Sequence, residues 1–193
     1  MDHHSLVQPI MLPPDAKRFP LSQVMTAVAT ASAAALVAAD RAHPAWSGWL
    51  SGRFTKSVRV AKSRSDFDIA LAAGDYTAES AGVRAVAFTP TTHPQMPRWM
   101  TRSRVQGLNC ADDLLAAPGD GEWTLGLVAQ MSAGKAAAQA AHATCMIVLR
   151  TGALPRFSVF RADEHAAGVV EVIDAGLTEF DGIATRTVVA SPR

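Results

Sequence analysis

Thr124-Leu-Gly-Leu-Val-Ala-Gln-Met-Ser-Ala-Gly-Lys-Ala-Ala-Ala-Gln-Ala-Ala-His-Ala-Thr-Cys-Met-Ile-Val-Leu149 decides the fold class. Thr124 to Gln130 reads as a short apolar strand. Ser132 to Leu149 reads as a helix that follows at once, with Ser132 at the N-cap. Its alanine faces allow close approach to a sheet. A strand running straight into such a helix is the start of an α/β unit.

The rest of the chain repeats this theme. Ser5 to Leu12 is predicted as a first strand, ended by Pro13-Pro14. Ser22 to Asp40 is a second alanine-rich helix, with Val24, Val28, Ala31, Ala35 and Ala38 at helical spacing. Pro44 breaks it, and a short turn carrying Trp46, Trp49 and Leu50 follows. Lys56 to Lys62 alternates as a half-buried strand, with Val58 and Val60 on one face and Ser57, Arg59 and Ala61 on the other. Ser65-Asp66 can cap a helix over Phe67 to Ala73. Val83 to Phe88 is a strand. Thr89 to Leu108, with Pro90, Pro94, Pro97 and Gly107, reads as irregular. Phe157 to Phe160, Val169 to Ile173 and Thr185 to Ala190 are further strands. The expectation is an α/β fold, a mixed β-sheet with Ala-rich helices on its faces. Each half runs strand, alanine-rich helix, strand, further strands, which hints at an internal duplication. It suggests halves at 1–116 and 123–193, a linker at 117–122, and packing as an internal pseudo-dimer. One continuous sheet shared by both halves is the alternative.

Composition bounds what such a fold can do. The 193 residues are 49% hydrophobic and 18% charged, enough to bury a core and too apolar for disorder. Cys110 and Cys145 cannot form a disulfide scaffold, so a cytoplasmic setting is expected. The alanine-rich stretch Ala27 to Ala39 is interrupted by Thr30 and Ser32, short of the roughly 20 apolar residues that span a bilayer, so no membrane partner is expected. The net charge of +1 does not announce a nucleic-acid binder. It is unevenly divided, however: residues 1–110 carry +5 and residues 111–193 carry −4. Arg53, Lys56, Arg59, Lys62 and Arg64 fall close together with no acid between the first four of them or before Arg64. They read either as a solvated strand edge or as a phosphate-facing, RNA-binding patch.

The second alanine-rich helix carries the most informative residues. Lys135 lies in its first turn, the unfavourable end for a cation, and an anion held there would account for it. Gly134 lets another group approach the helix start. Lys135, Gln139 and His142 share one face at i, i+4 and i+7, which also fits an ordinary solvent-facing polar stripe. Downstream, an apolar strand delivers Asp174 to its end, Gly176 makes a turn, and Thr178 follows. Strand ends gather ligand-binding groups in α/β sheets, although Asp174 could equally cap its own turn. No Gly-x-Ser-x-Gly elbow, Walker loop, dinucleotide fingerprint or Cys-x-x-Cys pair occurs. No metal site and no cofactor is expected.

Met131-Ser-x-Gly-Lys-x-Ala-x-Gln-x-x-His-Ala143, then Asp174-Ala-Gly-x-Thr-Glu179 and Thr187-Val-Val189, resembles the class II peptidyl-tRNA hydrolases over residues 123–193. Trp46-x-x-Trp49 and Arg53 to Val60 resemble a degenerate copy of the helix end and second strand of that fold. The resemblance implies hydrolysis of the ester joining a peptide to the 3′ end of tRNA, without a required metal, in a protein that is often a homodimer. By position it makes Lys135, Asp174, Thr178 and Thr187 catalytic, and Ser132, Gly134, Gln139, His142 and Gly176 substrate-binding. Its chemistry would use Asp174 to orient or deprotonate water, Lys135 against the oxyanion, and the threonines as hydrogen-bond donors to Asp174 or the 3′ ribose. The alternative is a non-catalytic RNA- or anion-binding module of the same fold. The sequence departs from the family pattern at Ala133, where a second basic residue is usual. It departs again between Arg161 and Gly168, where there is no room for the family's second helix, and at the ending Ala190-Ser-Pro192.

Overall fold

Two four-stranded sheets face each other across a layer of two helices in the computed structural model, which describes residues 5–175 and 181–193. The first sheet has the order β2-β1-β4-β3, from β1 (Gln8–Leu12), β2 (Lys56–Val60), β3 (Tyr76–Ser80) and β4 (Val83–Ala87). The second has the order β6-β5-β8-β7, from β5 (Trp123–Leu127), β6 (Phe157–Arg161), β7 (Val170–Asp174) and β8 (Thr185–Pro192). In both sheets the first strand runs parallel to the second and antiparallel to the last, and the last is antiparallel to the third. The two halves are therefore the same topology used twice, and the fold is α/β. Among the described residues no strand pairing joins the two sheets.

The crossover helices fill the space between them. α1 (Leu21–Ala38), followed by the short α2 (Pro44–Ser51), joins β1 to β2, and α5 (Ala133–Thr151) joins β5 to β6. They pack on one another, and each also reaches the other half's sheet, α1 at β6 and α5 at β2. Alanine makes this possible. Ala27, Ala31 and Ala35 of α1 and Ala136, Ala137, Ala140 and Ala141 of α5 are buried, so the helices approach without bulky side chains between them. Ser32 Oγ of α1 lies 3.3 Å from Cys145 Sγ of α5 at the crossing, and donates to Gln8 Oε1 at 2.5 Å. By length and composition α1 is apolar enough to cross a membrane, a stronger apolar character than its interrupting Thr30 and Ser32 suggest. Two thirds of it (67%) is buried inside this fold, apolar on nearly every side, as befits a central helix.

The outer face of the first sheet is covered as well. Between β2 and β3, α3 (Arg64–Ala73) brings Phe67 and Ala70 onto Met11, Ala61, Val86 and Phe88, and α4 (Arg98–Thr101) adds Met100. The second sheet has no such helix: residues 162–169 join β6 to β7 without one. There the Phe160 ring lies over Gly126, where an added Cβ would sit 2.9 Å from Phe160 Cζ and 2.6 Å from Ala162 Cβ.

Several sequence expectations are corrected. Tyr76–Ser80 is a strand, at a sheet edge with only Ala78 buried. The cap of α3 is Ser63, whose side chain accepts from Asp66 N, and not Ser65-Asp66. The segment Thr89–Leu108 contains the helix α4. Residues 117–122 join the two halves without helix or strand and rest against the start of β6. Glu122 N donates to Arg156 O, Ser158 Oγ donates to Gly119 O, and Gly121 lies against Phe157 and Ser158.

Candidate functional site

β5, β6 and β7 all point the same way, because β5 and β7 are each antiparallel to β8. Their C-terminal ends thus lie at the edge where α5 begins, the place where α/β sheets collect polar groups. Asp174 closes β7 there and Lys135 stands in the first turn of α5. Lys135 Nζ lies 3.1 Å from Asp174 Oδ1, and Gln139 Nε2 donates to Asp174 Oδ2 at 2.6 Å. Both charged side chains are mostly covered yet reach the surface, at 13% and 18% exposure. One turn of helix sets the spacing: Lys135 and Gln139 are i and i+4 and grip the two oxygens of one carboxylate.

The alternation of β7 aims that carboxylate. Val170 and Val172 are buried toward α5, Glu171 and Ile173 face out, and Asp174 continues the inward set. A bulge in the β7–β8 ladder lies between Val172 and Ile173. Thr187 sits opposite it, fully buried, with its hydroxyl donating to Val172 O at 3.0 Å. The expectation that Thr187 offers a hydrogen bond to Asp174 or to a ribose is therefore corrected: its donor goes to the strand backbone and stabilises the bulge. Gly176 and Thr178 lie outside the described residues. Among the described residues no three His, Cys, Asp or Glu side chains gather as a metal site would require.

His142 shares the helix face but takes a different neighbour. Its ring packs edge-on to Phe54, with centroids 4.8 Å apart and planes at 84°. Burial first, then the positive charge of Lys56, lower its pKa to about 3, against the opposite pull of Asp174. The imidazole is neutral at physiological pH. Phe54 belongs to the first half, so β2 and the residues before it close over the middle of α5. Sequence reasoning missed Phe54; its positive φ of 57° marks a constrained turn that sequence does not display.

The five clustered cations do not form one surface. Strand alternation turns Lys56 inward, where its Nζ lies 3.6 Å from the Phe54 ring centroid and 4.6 Å from that of Trp49. Burial pushes its ammonium down to about 8, opposed by nearby Cys145. Arg59 points to the opposite face, buried, and donates to Met100 O and Ser103 Oγ at 3.1 and 3.3 Å. Arg53 and Lys62 are exposed, and Arg64 pairs with Asp68 at 3.3 Å. The RNA-binding patch of five is corrected accordingly. Arg59 is buried and Lys56 partly buried, since β2 is covered on both faces.

Ser132 holds the N-cap position of α5, and its carbonyl accepts from Ala136 N at 2.9 Å. At Gly134 the approaching group is the chain itself: Val105 O and Leu108 Cβ stand 3.9 Å from where a Cβ would be. That is ordinary contact, so an alanine fits. The first half's helix start is different. Ser22 N and Ser22 Oγ donate to the two carboxylate oxygens of Asp113 at 2.9 and 2.5 Å, so a carboxylate of the chain itself caps α1. Gln23 occupies the position in α1 that Lys135 occupies in α5, and Ser80 ends β3 as Asp174 ends β7. Among the described residues the lysine–carboxylate pair is made once.

Compared with family models, with curated proteins and with solved structures, the chain matches none. What the pair can do therefore follows from its chemistry. A fixed carboxylate orients a water and takes its proton; an ammonium 3.1 Å away stabilises negative charge developing beside it.

Proposed function

We propose that the chain hydrolyses the ester between a peptide and the 3′ end of tRNA. One observation carries the reading: Lys135 and Gln139 hold Asp174 from either side at the strand-end edge, at 3.1 and 2.6 Å. The order of the two motifs in the sequence supports the same reading. In this scheme water adds to the ester carbonyl carbon while its proton passes to Asp174. Lys135 stabilises the oxyanion. The intermediate collapses, the bond to the ribose 3′ oxygen breaks, and that oxygen takes the proton from Asp174. The products are a peptide carboxylic acid, which loses its proton to solvent to become the carboxylate, and a free 3′ hydroxyl. Gln139 keeps the carboxylate in register and is a positioning residue.

A second reading is a non-catalytic RNA- or anion-binding module. It draws on the fact that both oxygens of Asp174 are already engaged by side chains of α5, as in a tether between helix and strand. Purified protein incubated with a peptidyl-tRNA analogue separates the two. The hydrolase reading expects turnover, falling about 10²-fold or more in Lys135→Ala and in Asp174→Ala. Salt-sensitive tRNA binding without turnover would favour the module.

A further inference from the structure

A second polar feature lies one loop away from the Lys135 turn. Residues 104–109 follow α4 and are tied to the end of β2, where Val60 N donates to Arg104 O at 2.7 Å and Arg104 N to Val60 O at 2.9 Å. This two-bond bridge pins the loop. One side of the loop touches the start of α5, through Val105 O and Leu108. The same loop also borders a cavity of about 170 Å³ lined by Lys17, Val60, Arg104, Gln106, Leu108 and Asn109 among others. The lining holds two cations, two side-chain amides and no acid. Among the described residues neither Lys17 nor Arg104 makes an ion pair. Gly107 has φ +79° with open space around it, a left-handed turn that glycine takes without strain.

Two cations without ion-pair partners, Arg104 on the pinned loop and Lys17 from the turn after β1, line one cavity and select an anion. The amides of Gln106 and Asn109 add donors and acceptors beside it, which suits a group bearing hydroxyls as well as charge. We propose that this cavity receives a backbone phosphate of the RNA whose 3′ end is acted on at Lys135 and Asp174. The inference rests on the hydrolase reading for its substrate. It locates nucleic-acid binding at Lys17 and Arg104, away from the run of cations between Arg53 and Arg64. The loop carries both functions, since it borders the cavity and also touches the first turn of α5. The next residues of the same loop supply Asp113 to α1, so an internal carboxylate occupies the helix start that the RNA does not use.

The test uses the full chain and a Lys17→Ala/Arg104→Ala double variant. Both side chains are exposed, so the fold is retained. A Lys17→Arg/Arg104→Lys variant controls for charge. Binding of a 5′-fluorescein-labelled single-stranded RNA oligonucleotide is followed by anisotropy across a KCl series, alongside hydrolysis of a peptidyl-tRNA analogue. The double alanine variant is expected to bind RNA about 10-fold more weakly or worse. Its plot of log affinity against log salt should flatten by about 0.7 per lost phosphate contact. Its KM should rise with kcat retained, and the charge-preserving variant should behave as wild type. Equal affinity and equal salt slope in the wild type and the double alanine variant would overturn the proposal. So would competition by inorganic phosphate as effective as by RNA, which would make this a free-phosphate site. Wild type that binds RNA through these residues yet releases no peptide would uphold the cavity and sink the hydrolase reading instead.

Discussion

Asp174 depends on two partners with different tasks. Lys135 supplies charge; Gln139 supplies only a directed hydrogen bond, and from a buried position at 2.6 Å. In the proposed hydrolysis, removing it would leave the carboxylate free to rotate away from the attacking water. Gln139→Ala is expected to lower kcat about 10-fold, the worth of one hydrogen bond of roughly 1–1.5 kcal/mol, with KM little changed. Steady-state kinetics check this, and a change confined to KM would place Gln139 in substrate binding. His142 makes a different prediction. In an unfolded chain it protonates near 6.5, but in the folded protein only near 3. Between those values the unfolded state binds more protons, so stability falls as pH falls through that window. Urea unfolding at pH 7 and pH 4.5 should show wild type losing about 2 kcal/mol more than His142→Gln. Equal losses would show that the imidazole protonates freely in the fold.

Elements were legible in proportion to how one-sided their surroundings are. The alanine-rich helices stood out because their apolar positions recur at helical spacing, and both were found within about two residues of their ends. β3 was not legible: as an edge strand it buries only Ala78 and shows no alternation to read. Arg59 was misplaced because its face of β2 looked like a solvent face. α3 and α4 cover that face, and only the fold brings them there. The Lys135–Asp174 pair was readable from motif order, since a helix start and a strand end are local features. The partner of Gln139, the backbone bond of Thr187 and the Phe54–His142 packing depend on register between distant strands. The α1–α5 layer has its own consequence. Its alanines leave no room for larger side chains, and Ala140 is fully buried. Ala140→Leu should destabilise the protein by about 1–3 kcal/mol, read as a lower urea midpoint at unchanged slope. An unchanged midpoint would mean that the helices can separate to admit the side chain.

At the scale of the whole molecule, one topology appears twice and the chemistry once. The first half keeps the sheet and the helix but has Gln23 and Ser80 where the second has Lys135 and Asp174. Its remaining contribution is cover. β2 and Phe54 close over α5, and the connecting loop reaches the starts of both helices. This cover stands in for the helix missing between β6 and β7 only on the α5 side; the outer face of the second sheet keeps Ile173 at 65% exposure. The proposed catalytic pair thus lies in one half and the proposed phosphate cavity mostly in the other, and the account requires the two halves to act as one site. The most direct measurement of its central claim is peptide release from a peptidyl-tRNA analogue by wild type and by Asp174→Asn, which keeps the shape of the side chain and removes its charge. The account predicts turnover by wild type and a fall of about 10²-fold or more in the variant. Equal rates in the two proteins would contradict it.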